Sequence, residues 1–222
     1  MNICSMGRIT ILGRSGKGKT WFHGYLLEQM ARDYRVCVHY DIQNDESGLS
    51  HPEDTLLKTL PVNEEIMESG NLFKIIHENQ YLRIVPEGLD LEQIKELGCK
   101  LADVCYQLAK KYRSSDLKKD SVMLSIDESH MVFPNYGELD ERLSRMCVAG
   151  RKMGLEWILS TQRSQKLHET AISQADYRCL FGVSSDRDVE KINNSTSFNA
   201  SQILAMEKYK DIIEDGHAAV YK

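Results

Sequence analysis

The sequence predicts an α/β fold, with a mostly parallel central sheet sandwiched between helices. Three observations predict it. Short apolar runs alternate with helical stretches, which is the pattern of a parallel sheet covered on both faces. A glycine-rich loop joins the first run to the first helix. A later run ends on two adjacent acids, Asp127 and Glu128, and in such sheets functional groups gather at the carboxyl ends of strands.

The elements follow in order. "RITIL" (Arg8 to Leu12) reads as the first strand, and Thr20 to Met30 as the helix after the loop. "RVCVHYD" (Arg35 to Asp41) is the second strand. The segment Asn44 to Gly88 is the least regular, with Pro52, Pro61 and Pro86 and one short strand candidate, "YLRIVP". It is expected to be an insertion before the long helix, not a separate domain, so residues 1–222 form one domain. Leu89 to Tyr112 spaces Leu91, Ile94, Leu97, Leu101, Val104, Cys105 and Leu108 as a helix does. "SVMLSIDE" (Ser121 to Glu128) is a buried strand, and Glu138 to Met153 a second helix built on Leu139, Leu143, Met146 and Cys147. "EWILSTQ" (Glu156 to Gln162) and "RCLFGVS" (Arg178 to Ser184) complete the inner strands, and "HAAVYK" adds an edge strand.

Bulk properties narrow the class. A chain of 222 residues suits one α/β domain. The formal net charge of -5 argues against a broad basic DNA-binding face, so any contact with nucleic acid must come from a local patch, a loop, or a surface shared by several subunits. Cys4, Cys37, Cys99, Cys105, Cys147 and Cys179 form no C-x-x-C pair and read mostly as core thiols, with a disulfide left open. Met1 to Leu12 is too short for a signal peptide, and no apolar run approaches the ~20 residues of a membrane span. A location in the cell interior is expected.

The loop carries the first chemistry. Gly13, Arg14, Ser15, Gly16, Lys17, Gly18, Lys19 and Thr20 match the phosphate-binding pattern G-x-x-x-x-G-K-T. Glycines let the backbone approach phosphate closely, and successive N–H groups with the positive end of the next helix make an anion nest. Lys19 is placed to reach the β- and γ-phosphates, and Thr20 to put its hydroxyl on magnesium. The expected ligands are ATP and Mg²⁺.

The acids decide between classes of nucleotide enzyme. In a hydrolase Asp127 sits behind magnesium, bonding its water ligands, and Glu128 polarises the attacking water. A nucleoside or nucleotide kinase needs no activated water. A switch GTPase would show an N-K-x-D stretch, which this chain lacks. Gln162, in "ILSTQRS", ends the next strand, where it can touch the γ-phosphate or its water; a solvated loop is the plainer alternative.

Together these motifs resemble the HerA–FtsK superfamily of P-loop ATPases. The resemblance rests on Asp127-Glu128-Ser129-His130, on Gly150-Arg151-Lys152, on Thr161-Gln162-Arg163, and on Ile172, Gln174 and Ala175 before the last inner strand. With the phosphate loop it covers most of the chain outside Asn44 to Gly88. It implies a RecA-like sheet of the additional-strand, catalytic-glutamate type, and a motor that translocates double-stranded DNA without reading its sequence. It also implies a homo-oligomeric ring, usually a hexamer, with ATP between neighbours. The compact form is similar to the genome-packaging ATPases of internal-membrane icosahedral viruses, including archaeal ones. That implies a capsid or membrane docking protein as partner, inside the host cell or attached to the virion. A conjugation, plasmid-transfer or cellular DNA pump stays open, as do a nucleotide kinase and a DNA-independent assembly ATPase.

Arg142, Arg145 and Arg151 are the candidates for a transition-state arginine supplied across the ring, with Arg151 the best match to the superfamily's G-R. For DNA, "KKYRSSDLKKD" (Lys110 to Asp120) is the densest basic patch, with Lys118 and Lys119 in it; Lys166 and His168, after Gln162, are the alternatives. Phosphate tracking needs only backbone contacts, which a ring multiplies.

Overall fold

The computed structural model of the chain describes residues 7–44, 56–113, 121–182, 186–195, 212–214 and 219–221. The strands are β1 (Ile9–Gly13), β2 (Val36–Tyr40), β3 (Lys58–Val62), β4 (Tyr81–Pro86), β5 (Val122–Ile126), β6 (Leu155–Thr161), β7 (Tyr177–Phe181), β8 (Ile212–Glu214) and β9 (Ala219–Tyr221). The helices are α1 (Lys19–Met30), α2 (Glu64–Glu68), α3 (Leu72–Asn79), α4 (Leu91–Tyr112), α5 (Glu141–Met153), α6 (Glu169–Ser173) and α7 (Asp186–Ser195). All nine described strands form one sheet in the order β3-β4-β2-β5-β6-β1-β7-β8-β9. Every pair from β3 to β7 is parallel, and β8 and β9 close the far edge antiparallel. The expected sheet is therefore present, and the edge strand expected at "HAAVYK" is β9.

The alternation of side chains along the strands splits the core into two layers. Ile9, Ile11, Cys37, Met123 and Ile158 pack on one face with Leu26, Leu27 and Met30 of α1. Val36, Val38, Leu124, Trp157 and Leu159 pack on the other with Leu97, Leu101, Leu108, Leu143 and Met146 of α4 and α5. Caps mark where α4 begins and α5 ends. Asp90 accepts from the Gln93 N–H while the Gln93 side chain accepts from the Asp90 N–H, a reciprocal cap at the start of α4. Gly154, left-handed at φ 80°, ends α5 and turns the chain into β6.

One expectation is corrected. The described part of Asn44 to Gly88 is no irregular insertion, because it supplies β3, α2, α3 and β4 and extends the parallel sheet past β2. β3 was not anticipated for a physical reason. It is an edge strand, "KTLPV", largely exposed, so it has no continuous apolar run to betray it. The Val62 carbonyl accepts from the Glu87 N–H at 2.9 Å, on the β4 side. Backbone groups alternate along a strand, so Pro61, one residue earlier, turns its donorless nitrogen outward.

Five cysteines, Cys37, Cys99, Cys105, Cys147 and Cys179, are buried, as the core-thiol reading expects. Burial pushes the Cys37 and Cys147 thiols up to about 12, which keeps them protonated and unreactive. Cys4 lies outside the described residues.

Candidate nucleotide site

Strand order sets the site. β6 lies between β1, which feeds the glycine loop, and β5, which ends in the acids. The carboxyl ends of all three meet above α1. Gly13 closes β1 at φ 154°, and a Cβ there would stand 2.5 Å from the Phe181 carbonyl oxygen. Only glycine lets the loop leave the sheet at that point. Gly16 and Gly18 also hold positive φ, 75° and 94°.

A cleft of about 290 Å³ opens over the loop, lined by Arg14, Ser15, Gly16, Gly18, Lys19, Thr20, Trp21, Gln43, Asp127, Glu128 and Gln162. Lys19 Nζ stands 3.7 Å from Asp127 Oδ1 and 4.0 Å from Glu128 Oε1, so the loop's ammonium sits against both acids. Glu128 is only 3% exposed. Its backbone is left-handed, φ 47° and ψ 42°, a conformation that costs a non-glycine residue about 1–2 kcal/mol. The turn aims its carboxylate at His130 Nδ1 (3.1 Å) and the Gln162 N–H (3.5 Å).

Beneath the cleft is a polar network that the motifs did not reveal. His23 Nε2 lies 2.5 Å from Ser125 Oγ, and His23 Nδ1 lies 2.8 Å from Ser160 Oγ. Ser160 in turn donates to Asp127 Oδ1, and His39 Nδ1 reaches Ser125 Oγ at 3.1 Å. The two imidazoles meet edge to face at 5.3 Å. Burial opposes ionisation of Asp127. His23, Lys19 and the Ser160 hydroxyl outweigh it and hold the carboxyl well below the usual range. A signal for this network was present: His23 lies four residues after Lys19, on the same helical face, and Ser125 and Ser160 interrupt otherwise apolar strands.

The predicted residues fall in several places. Arg14, Ser15, Gly16, Gly18, Lys19, Thr20, Asp127, Glu128 and Gln162 share the cleft. Lys17 does not line it; its stem runs beside Gly182. The arginines differ among themselves. Arg142 is held by its own chain, at 2.8 and 2.7 Å from the two Glu96 oxygens and 2.8 Å from Asp140 Oδ2. Arg145 pairs with Asp103. Arg151 is 71% exposed along its side chain and reaches Asp176 only at 3.4 Å. Of the basic residues, Lys118 and Lys119 lie outside the described residues. Lys110 and Lys111 end α4, which leads into the start of β5, so they sit at the amino end of the sheet, opposite the cleft. Lys166 is exposed just after β6, on the cleft's side.

The donors also suit a cation. Thr20, Asp127 and the phosphates of a nucleotide offer only oxygen, which fits Mg²⁺. Among the described residues no cluster of three or more His, Cys, Asp or Glu side chains could hold a metal alone.

A parallel sheet with a strand inserted between the phosphate-loop strand and the acid-bearing strand defines the chain as having the P-loop NTPase fold of the additional-strand type. The similar solved structures make that more particular. The genome packaging NTPase B204 from Sulfolobus turreted icosahedral virus 2, solved with AMPPCP, superposes with a TM-score of 0.70 at 19% identity, covering 100% of this chain and 97% of that one. EssC (ATPases 2 and 3) from Geobacillus thermodenitrificans gives 0.61 at 14%, over 98% of this chain and 39% of its own. The pCW3 conjugation coupling protein TcpA, with ATPgS, gives 0.58 at 15%, over 100% and 60%. No family model matches the sequence, and no curated protein does.

Proposed function

We propose that this chain is an ATP-hydrolysing motor that moves double-stranded DNA, within the HerA–FtsK superfamily, and that its task is packaging a genome into a preformed capsid. The observation that carries the hydrolytic part is the convergence of Lys19, Asp127, Glu128 and Gln162 on one cleft over the glycine loop. The B204 likeness, over nearly the full length of both chains, supports the packaging role.

Each residue has a task. The N–H groups of the loop from Ser15 to Thr20 hold the phosphates, and Lys19 neutralises their charge. Thr20 and Asp127, the latter through water, would hold Mg²⁺, which when bound would neutralise charge on the phosphates. Glu128 takes the proton of the attacking water. Gln162, next to Glu128, orients that water or senses its departure. Arg151, exposed and weakly tied, is the arginine best suited to serve the next subunit of a homo-oligomeric ring, a hexamer by resemblance. Lys166 is the DNA contact we favour.

The test is phosphate release with and without duplex DNA, beside a mass measurement of the oligomer. Stimulation by duplexes of unrelated sequence is expected; basal hydrolysis indifferent to any duplex would sink the motor. Removing Mg²⁺ with EDTA should stop hydrolysis. A conjugative DNA pump is the second reading, favoured by the TcpA likeness.

A further inference from the structure

Trp21 is 58% exposed, an unusual place for the largest apolar side chain. It is the first residue after Thr20 and lines the same cleft as Lys19 and Asp127. Its ring lies parallel to that of Tyr25, four residues on, with centroids 5.6 Å apart and planes 4° from coplanar. The two rings thus form a two-layered aromatic shelf on the first turns of α1.

Helix geometry fixes which end of the cleft the shelf occupies. Residues advance about 100° each around a helix. Lys19 and His23 share the face turned to Asp127. Trp21, about 200° from Lys19, is on the opposite side, away from the acids. A triphosphate seated on the loop with its γ-end at Lys19, Asp127 and Glu128 leads its α-phosphate and sugar away from those acids, toward Trp21.

We infer that the Trp21–Tyr25 shelf receives the base of the bound nucleotide by stacking. This rests on the nucleotide site proposed above and adds its base-binding residue. A stacked base presents only its π-face, so the shelf binds any nucleoside triphosphate, purines better than pyrimidines for their larger rings. No guanine-reading N-K-x-D stretch is present to narrow that choice.

The experiment uses the full-length chain with ATP, GTP and inorganic tripolyphosphate, each with Mg²⁺. Of the two tryptophans Trp157 is fully buried, so a change in emission on binding reports Trp21. ATP and GTP are expected to change the emission and to bind within about threefold of each other. Tripolyphosphate should displace them without that change. Trp21→Ala should weaken ATP about tenfold while leaving tripolyphosphate binding as it was, following the ~1–3 kcal/mol a stacked base is worth. Trp21→Phe, which keeps a ring, should restore most of the affinity.

Unchanged ATP affinity in Trp21→Ala, with tripolyphosphate still bound, overturns the shelf alone. Equal loss of ATP and tripolyphosphate binding in that variant also overturns it, since the ring would then merely support the loop. So does loss of ATP affinity that follows a loss of oligomer mass, since Trp21 would then be an interface residue. Wild-type chain that binds neither ATP nor tripolyphosphate overturns the nucleotide site itself, and the shelf with it.

Discussion

Glu128 and His130 stand two residues apart, and their side chains meet, with Glu128 Oε2 3.1 Å from His130 Nδ1. The same nitrogen is 2.9 Å from Thr161 Oγ1 on the neighbouring strand. The acid that would activate water is thus steered from within its own turn and tied to the end of β6, just before Gln162. His130→Ala should lower kcat about tenfold and leave KM within about twofold, because it loosens the base without touching the phosphates. Steady-state kinetics separate the two constants.

Glu128→Gln keeps the side chain's size and removes its basicity. Hydrolysis should fall by about 10²–10⁴. ATP affinity, measured by equilibrium titration, should stay within about threefold. Hydrolysis that survives would remove Glu128 from its role.

The arginines should separate by what they do to the fold. Arg142→Ala cuts a bidentate pair with Glu96 and the bonds to Asp140 and should lower stability by about 1 kcal/mol or more, visible as a lower Tm. Arg151→Ala should leave Tm within a degree or two and, as the arginine proposed to act across a ring interface, lower hydrolysis at least a hundredfold. Mixing Arg151→Ala with Glu128→Gln subunits should recover part of the activity if the arginine acts across the interface.

The buried histidines make a pH prediction. Burial first, and then the neighbouring His23, push His39 down to about 4; Asp41 and Asp127 pull the other way, and Arg83 adds to the lowering. An unfolded imidazole protonates near 6.5, so between about pH 6.5 and 4 the unfolded chain binds more protons. Stability is therefore full above about pH 6.5 and falls as pH drops to about 4, by up to roughly 3 kcal/mol. Asp127, held ionised, adds its own loss only below its ordinary value of about 3.9. Urea midpoints across this range measure the slope, and His39→Gln should flatten it.

Most of the fold was legible because the inner strands are continuous apolar runs, and a strand buried on both faces must be. β3 was not, since its edge position allows Lys58, Thr59 and Pro61. The cleft was legible from backbone requirements and paired acids. His23, Ser125, Ser160 and His39 were not, because their meaning arises only when α1, β2, β5 and β6 bring them together. His130 lay within the D-E-x-H stretch. Its contact with Glu128 depends on the left-handed turn at Glu128, which no spacing announces.

The outermost strand has a last consequence. An open row of backbone donors and acceptors is a template on which copies zip together into insoluble ribbons. β3 offers such a row poorly: Pro61 withholds a donor on the outward side, and Lys58 sets a charge at its start. The β3 edge is thereby a poor template for pairing with another strand.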